Sequence, residues 1–327
     1  MTTDARPPLV QVIGPTASGK TAFAVALAEQ LGAEVINVDS MQVYRDLAVG
    51  TDKPSAAEQQ RVPFHGIDLI PLGPPLDAAR FAELAQGWIA EVQGRGRPVV
   101  AAGGTGLYHR ALVHGLLAAP SRDDALRAQL RARRAAEGQA VLYAELAGKD
   151  PVAAARIAPT DWVRIERALE VHALTGACLS EGQDAHGFGE TRYRRVVLGC
   201  WRPRSELYAR IDQRLEEMWS GGLVEETAQM LALGLTVDAL PLKALGYRQA
   251  AAYLQGALSA AEALALAQRE TRRFAKRQMT WFRRESGVIW LQMPLSEAHL
   301  STLVRKMGGF FAGRSLDSSG LPRVEMA

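Results

Sequence analysis

The chain has 327 residues, 48% of them hydrophobic, and a net charge of +3, so it can bury a substantial core in one large domain or two. The mild basic excess permits nucleic-acid binding without requiring it. Cys178 and Cys200 sit in no metal-ligand spacing and give no disulfide framework, the N-terminus lacks the regions of a secretory signal, and no apolar run can span a bilayer; a soluble, cytosolic protein is expected.

The first apolar run, Val10–Ile13, reads as a buried strand. It feeds Gly14-Pro15-Thr16-Ala17-Ser18-Gly19-Lys20-Thr21, a complete G-x-x-x-x-G-K-T phosphate loop, and then a helix from Ala22 to Leu31. The glycines let N–H groups turn toward a phosphate. The helix N-terminus adds partial positive charge, Lys20 adds a full one, and the Thr21 hydroxyl can hold Mg²⁺. A diphosphate-binding site is expected there.

Further apolar runs at Val35–Val38, Pro98–Ala102 and Val196–Cys200 read as parallel strands, and residues 56–94 between them as helical. Strands alternating with helices predict an α/β fold, a phosphate-loop NTPase-like parallel sheet flanked by helices. Ligands in such sheets lie beyond the carboxyl ends of the strands. Asp39-Ser40 follows the second run and Gly103-Gly104-Thr105-Gly106 the third. Asp39 suits a proton acceptor or Mg²⁺ ligand, and equally a helix N-cap. Thr105 with its glycine neighbours suits a second phosphate, or an ordinary strand-to-helix turn.

Residues 120–190 lose the strand signal and predict a helical insertion domain. It divides a core of residues 1–119 from a second, mostly helical part at 191–314, and a polar tail at 315–327 is expected to fray. In a helix over Arg204–Trp219, Leu207, Ile211, Leu215 and Met218 mark the buried stripe, which puts Arg210 and Arg214 together on its flank. They suit a polyphosphate leaving group or a solvated face paired with Glu217 or Asp212. The helix Arg269–Arg284 carries Lys276, Arg277 and five further arginines among Phe274, Trp281 and Phe282. Such a pattern suits a nucleic-acid backbone, or a basic amphipathic helix with its aromatics in the core; the cluster with Arg127 and Arg131 reads the same two ways. On residues alone, a small-molecule or nucleotide kinase and a diphosphate-releasing transferase acting on nucleic acid both stay open.

The ordered segments decide between them. The phosphate loop is followed by Asp-Ser-Met-Gln-Val-Tyr at 39–44, Gly-Thr-Asp-Lys-Pro at 50–54 and Gly-Gly-Thr-Gly-Leu-Tyr at 103–108, then by Arg-Ala-Leu-Glu-Val at 167–171, Leu-Gly-Tyr-Arg at 245–248 and Ala-Lys-Arg-Gln-Met-Thr-Trp-Phe-Arg at 275–283. Along almost its whole length the chain resembles the bacterial tRNA dimethylallyltransferases, also called tRNA isopentenyltransferases. The resemblance implies transfer of a dimethylallyl group from dimethylallyl diphosphate to the exocyclic amine of the adenosine 3′ of the tRNA anticodon, with diphosphate and Mg²⁺ held by the phosphate loop in place of ATP. It implies Asp39 as general base, with Thr105, Arg214 and the nearby Arg210 on the diphosphate. It implies Ser40, Met41 and Gln42 at the entrance for a flipped adenine. The anticodon stem-loop would touch Arg127, the segment Val163-Arg164-Ile165-Glu166-Arg167 and the segment Lys243-Ala244-Leu245-Gly246-Tyr247-Arg248, and the basic helix would add Lys276 and Arg277. Val163 departs from the glutamine often found before that arginine. A monomer without membrane association is expected; an adenylate isopentenyltransferase or a small-molecule phosphate-loop kinase is the alternative.

Overall fold

The structure, a computed structural model, describes residues 4–325 except 74, 118, 188 and 238. Six strands, β1 (Pro8–Ile13), β2 (Glu34–Asn37), β3 (Phe64–His65), β4 (Val99–Ala102), β5 (Arg194–Trp201) and β6 (Val288–Gln292), form one sheet in the order β3-β2-β4-β1-β5-β6. Every pairing is parallel, with Val12 in register with Ala102 on one side and Leu198 on the other. Near-continuous apolar runs specify this, because both faces of a parallel sheet are covered. Alternation along β1 divides those faces. Val10 and Val12 pack with Leu27 of helix Lys20–Leu31 and Leu303 of helix Glu297–Phe311. Ile13 packs with Phe282 and Trp290, while Gln11 hydrogen-bonds His109 of helix Gly106–His114.

Two strands lie outside the sequence expectation. β3 interrupts the stretch read as helical, leaving helices Ala56–Arg61 and Ala78–Gly94 on either side, and two residues are too few to show a period. β6 follows the basic helix, which runs Ala260–Phe282, after a short turn. The tail also differs from expectation as far as residue 325. Leu321 enters the core, Arg323 bridges antiparallel to Leu291, and the Val324 N–H donates to the Trp290 carbonyl at 2.9 Å. Its last two residues lie outside the described ones.

Residues 114–191 form a separate compact unit with no strand among the described residues. Its core gathers Leu130, Leu142, Leu146, Ile165 and Leu169. Helices Asp124–Glu137, Pro151–Arg156 and Trp162–Thr175 start from Asp123, Asp150 and Asp161, whose carboxylates accept from the amides of Leu126, Ala153 and Arg164. Each is an N-cap that satisfies an otherwise orphaned donor.

Candidate active site

The loops that follow β1, β2 and β4 open onto one cavity of about 660 Å³. β1 delivers the phosphate loop, in which Ala17 and Gly19 take left-handed φ values of 62° and 95°. Gly19 caps helix Lys20–Leu31 with no side-chain hydrogen bond, so the first amides of that helix are open to an anion. Arg202 braces the loop from outside the cavity and Arg210 from its wall, their Nε atoms donating to the carbonyls of Ser18 at 3.0 Å and Ala17 at 3.1 Å. Lys20 Nζ donates to the Pro15 carbonyl at 2.7 Å. Enclosure pushes the pKa of Lys20 down to about 8, and the Arg214 charge adds to that push.

β4 separates β1 from β2, so its loop must pass between the other two. Gly103 makes this possible: a Cβ there would fall on the backbone of Val38. The Thr105 N–H then donates to the Val38 carbonyl at 3.2 Å, and Thr105 Oγ1 accepts from the Ser40 N–H at 3.1 Å. Asp39 ends the β2 side of the cavity. Its Oδ1 accepts from the Met41 amide at 2.9 Å and from that of Gln42 at 3.4 Å, and no hydrogen bond from the described residues reaches Oδ2. Enclosure raises the Asp39 pKa; the two amides and the Lys20 charge offset part of that rise. Beneath the loop, burial holds the neutral His109 ring at about 4, and its nitrogens bridge Gln11 and the Gly103 carbonyl.

Sequence reading singled out neither Asp52 nor Gln278, although both stand in the matched segments. Asp52, at φ 53°, lines the cavity and ion-pairs with Arg214 at 2.6 Å. The loop that carries it is fixed from outside: Glu226 accepts from the amides of Ala48 (2.7 Å) and Val49 (2.8 Å), and the Tyr247 hydroxyl donates to Glu226 and accepts from the Gly50 N–H. Gln278, on helix Ala260–Phe282, joins the phosphate loop to Gly104 through its side-chain amide.

The structure sorts the expected residues. Thr16, Ala17, Gly19, Lys20 and Thr21 line the cavity, with Asp39, Ser40, Met41, Gln42, Thr105, Arg210 and Arg214. Gly14, Pro15 and Ser18 do not line it and shape the loop from behind. The Gln42 amide is committed to the carbonyls of Thr51 and Asp52. Lys243, Ala244, Leu245, Arg248 and Arg277 also line the cavity, the three basic residues being exposed as well. Lys276 is exposed but lies outside the lining.

Other expected contacts need correction. Gly246 and Tyr247 are buried, and Tyr247 supports the Asp52 loop rather than offering a surface. In the helical unit, Ile165 and Glu166 point into the core, because the period of helix Trp162–Thr175 carries them inward. Arg127 is spent on the buried Glu170 (Nε to Oε1, 2.8 Å), and Arg167 donates to the same carboxylate and to the Pro120 carbonyl. Val163, 73% exposed, and Arg164 face outward.

The IPP transferase family model matches residues 42–285, and the Isopentenyl transferase model residues 8–63. A tRNA dimethylallyltransferase of Anaeromyxobacter dehalogenans is 51% identical over 91% of this chain and 99% of its own length. The chain belongs to the IPP transferase family. Among solved structures of the family, the tRNA isopentenylpyrophosphate transferase of Bacillus halodurans is 36% identical, with a TM-score of 0.69 over 94% of this chain and 96% of that one. A eukaryotic dimethylallyltransferase acting on tRNA shares the fold, with a TM-score of 0.81 at 23% identity over 97% of this chain and 82% of its own. As an IPP transferase the chain is a prenyl-transferring enzyme, and no helix among its described residues is long and apolar enough to cross a membrane.

Proposed function

We propose that the chain transfers the dimethylallyl group of dimethylallyl diphosphate to the exocyclic amine of the adenosine 3′ of the anticodon in tRNA, releasing diphosphate. One observation carries this reading: Lys20 and Asp39, from strand ends separated by β4, line the same cavity. An anion cradle and a carboxylate base thereby face a common volume, and Ile211, Leu215 and Met218 supply an apolar wall for a short prenyl chain. The name shared by the relatives supports tRNA as acceptor over a free nucleotide, and prenyl transfer over phosphoryl transfer.

The chemistry follows from the charges. As the allylic C–O bond breaks, negative charge gathers on diphosphate, where Lys20, Arg210, Arg214 and the helix amides are already in place. The amine nitrogen forms the new C–N bond and passes its proton to Asp39, whose raised pKa makes the ionised carboxylate a stronger base. Thr21 fits a Mg²⁺ role, since no hydrogen bond from the described residues engages its hydroxyl and the hard oxygens of Asp39 and Asp52 line the same cavity. When bound, the ion supplies further neutralisation of the leaving group. Lys243, Arg248 and Arg277 offer positive charge to tRNA phosphates beside the opening that receives the unstacked adenine. Val163 and Arg164 offer an outward face on the helical unit.

Labelled dimethylallyl diphosphate, Mg²⁺ and either unmodified tRNA or AMP test the reading. Label is expected in tRNA; label in AMP alone, or phosphate transfer from ATP, overturns it.

A further inference from the structure

In the turn after β4, one main-chain polar group lacks a partner among the described residues. The Gly103 N–H donates to the Val12 carbonyl and the Thr105 N–H to the Val38 carbonyl, both at 3.2 Å. The Gly103 carbonyl accepts from His109 Nε2 at 3.3 Å, and the Gly104 carbonyl from Gln278 Nε2 at 2.9 Å. No hydrogen bond from the described residues engages the Gly104 N–H that lies between. The tautomer of His109 follows from its partners. A carbonyl only accepts, so Nε2 carries the proton and Nδ1 accepts from the Gln11 amide at 3.1 Å. Gln11 Oε1 is then turned to Arg195 at 3.3 Å, which ion-pairs with Glu285 at 2.6 Å. His109 is 6% exposed and meets the Phe282 ring edge-on. It is absent from the cavity lining, whereas Gly103 and Gly104 are part of it. In a planar trans peptide the carbonyl and the N–H point opposite ways. With the Gly103 carbonyl drawn down to the buried imidazole, the Gly104 N–H leaves on the cavity side. A Cβ built on Gly104 would stand 3.9 Å from Lys20 Nζ, so this open donor lies beside the ammonium.

We propose that the Gly104 N–H is a further anion donor of the site, and that His109 is the positioning residue that aims it. An anion seated on Lys20 takes this N–H in addition to the amides that open the helix. The donor needs no rearrangement, because Val12, Val38, Gln278 and His109 already fix the peptides on either side of it. A buried imidazole that meets no substrate thus acts on diphosphate through the plane of one peptide. The inference rests on the donor-site reading above.

Glycine carrying ¹³C at the carbonyl and ¹⁵N at the amide gives carbon-filtered amide signals only from the Gly–Gly pairs of the full chain: Gly103-Gly104, Gly221-Gly222 and Gly308-Gly309. Gly221→Ala and Gly308→Ala, where a methyl meets open space, identify the other two by removal. At saturating inorganic diphosphate with Mg²⁺, the Gly104 amide proton is expected to move downfield as it bonds a charged oxygen. His109→Phe keeps a ring against Phe282 but cannot hold the Gly103 carbonyl, so calorimetry should show diphosphate bound about tenfold more weakly. His109→Gln can donate in place of Nε2 and should stay within about threefold of wild type. Wild type that binds diphosphate with its Gly104 amide unmoved overturns the proposal. So does a His109→Phe protein that is less stable in urea yet binds diphosphate as tightly as wild type, or an equal loss in His109→Gln. If His109→Phe does not fold, the wild-type amide signal decides. Wild-type protein that binds no diphosphate defeats the donor-site reading as well.

Discussion

Consider Lys20→Met, which keeps the length of the stem and deletes its charge. A lysine held at about 8 instead of 10.5 costs the neutral-pH fold about 3 kcal/mol. Lys20 keeps partial solvent contact, and its bond to the Pro15 carbonyl would be lost, which together reduce the expected gain to about 1–2 kcal/mol. The variant should therefore be the more stable protein at pH 7 in urea denaturation. The pH dependence fixes the cause. Between about 8 and 10.5 the unfolded chain holds the Lys20 proton and the folded chain does not, so wild-type stability rises relative to the variant across that window. The variant's advantage should shrink steadily and reverse toward the top of that window, since the neutral amine still donates to the Pro15 carbonyl and Met cannot. Inorganic diphosphate should invert the order at pH 7, since binding at a hundredfold over Kd adds about 2.7 kcal/mol to the wild type alone. A variant no more stable than wild type at pH 7, or a gap that ignores pH, would refute the claim that the site confines a charge for its ligand at a cost to the fold.

Asp39→Asn should lower kcat by about 10²–10⁴-fold while diphosphate binding is nearly retained; parallel loss of both, measured by single turnover and calorimetry, would remove the base assignment. The wild-type kcat/KM profile should fall on the acid side from above the ordinary aspartate value, because Asp39 protonates early, and on the basic side through about 8 as free-enzyme Lys20 loses its proton. An acid limb that survives in Asp39→Asn would assign it to another group. Arg127→Ala should destabilise the helical unit by about 3 kcal/mol by leaving the buried Glu170 short of a partner, without altering the salt slope of tRNA binding. Arg248→Ala should do the opposite, leaving stability alone and reducing that slope by about one, read from filter binding over a salt series.

The contrast between Arg127 and Arg248 shows where sequence reading holds and where it stops. The phosphate loop, Asp39 and the Gly103–Gly106 turn are legible because each is a short contiguous stretch at a strand end, and parallel-sheet topology obliges strand ends to share an edge. The segments Val163–Arg167 and Lys243–Arg248 are just as contiguous, yet a helix turns successive residues through different directions. Ile165, Glu166 and Tyr247 consequently leave the surface that Val163, Arg164 and Arg248 keep. Least legible are the groups that hold the site open. Glu226 reaches back 178 residues to the Ala48 amide and Gln278 reaches back 262 to that of Thr16. Neither spacing leaves a periodic or local trace, and both side chains look from sequence like ordinary polar positions on a helix. What sets the width of the cavity is thus carried by residues whose meaning exists only after the chain has closed. Substitutions at Glu226 and Gln278 should accordingly loosen the Asp52 loop and the phosphate loop, respectively, without touching any residue of the phosphate-loop motif itself.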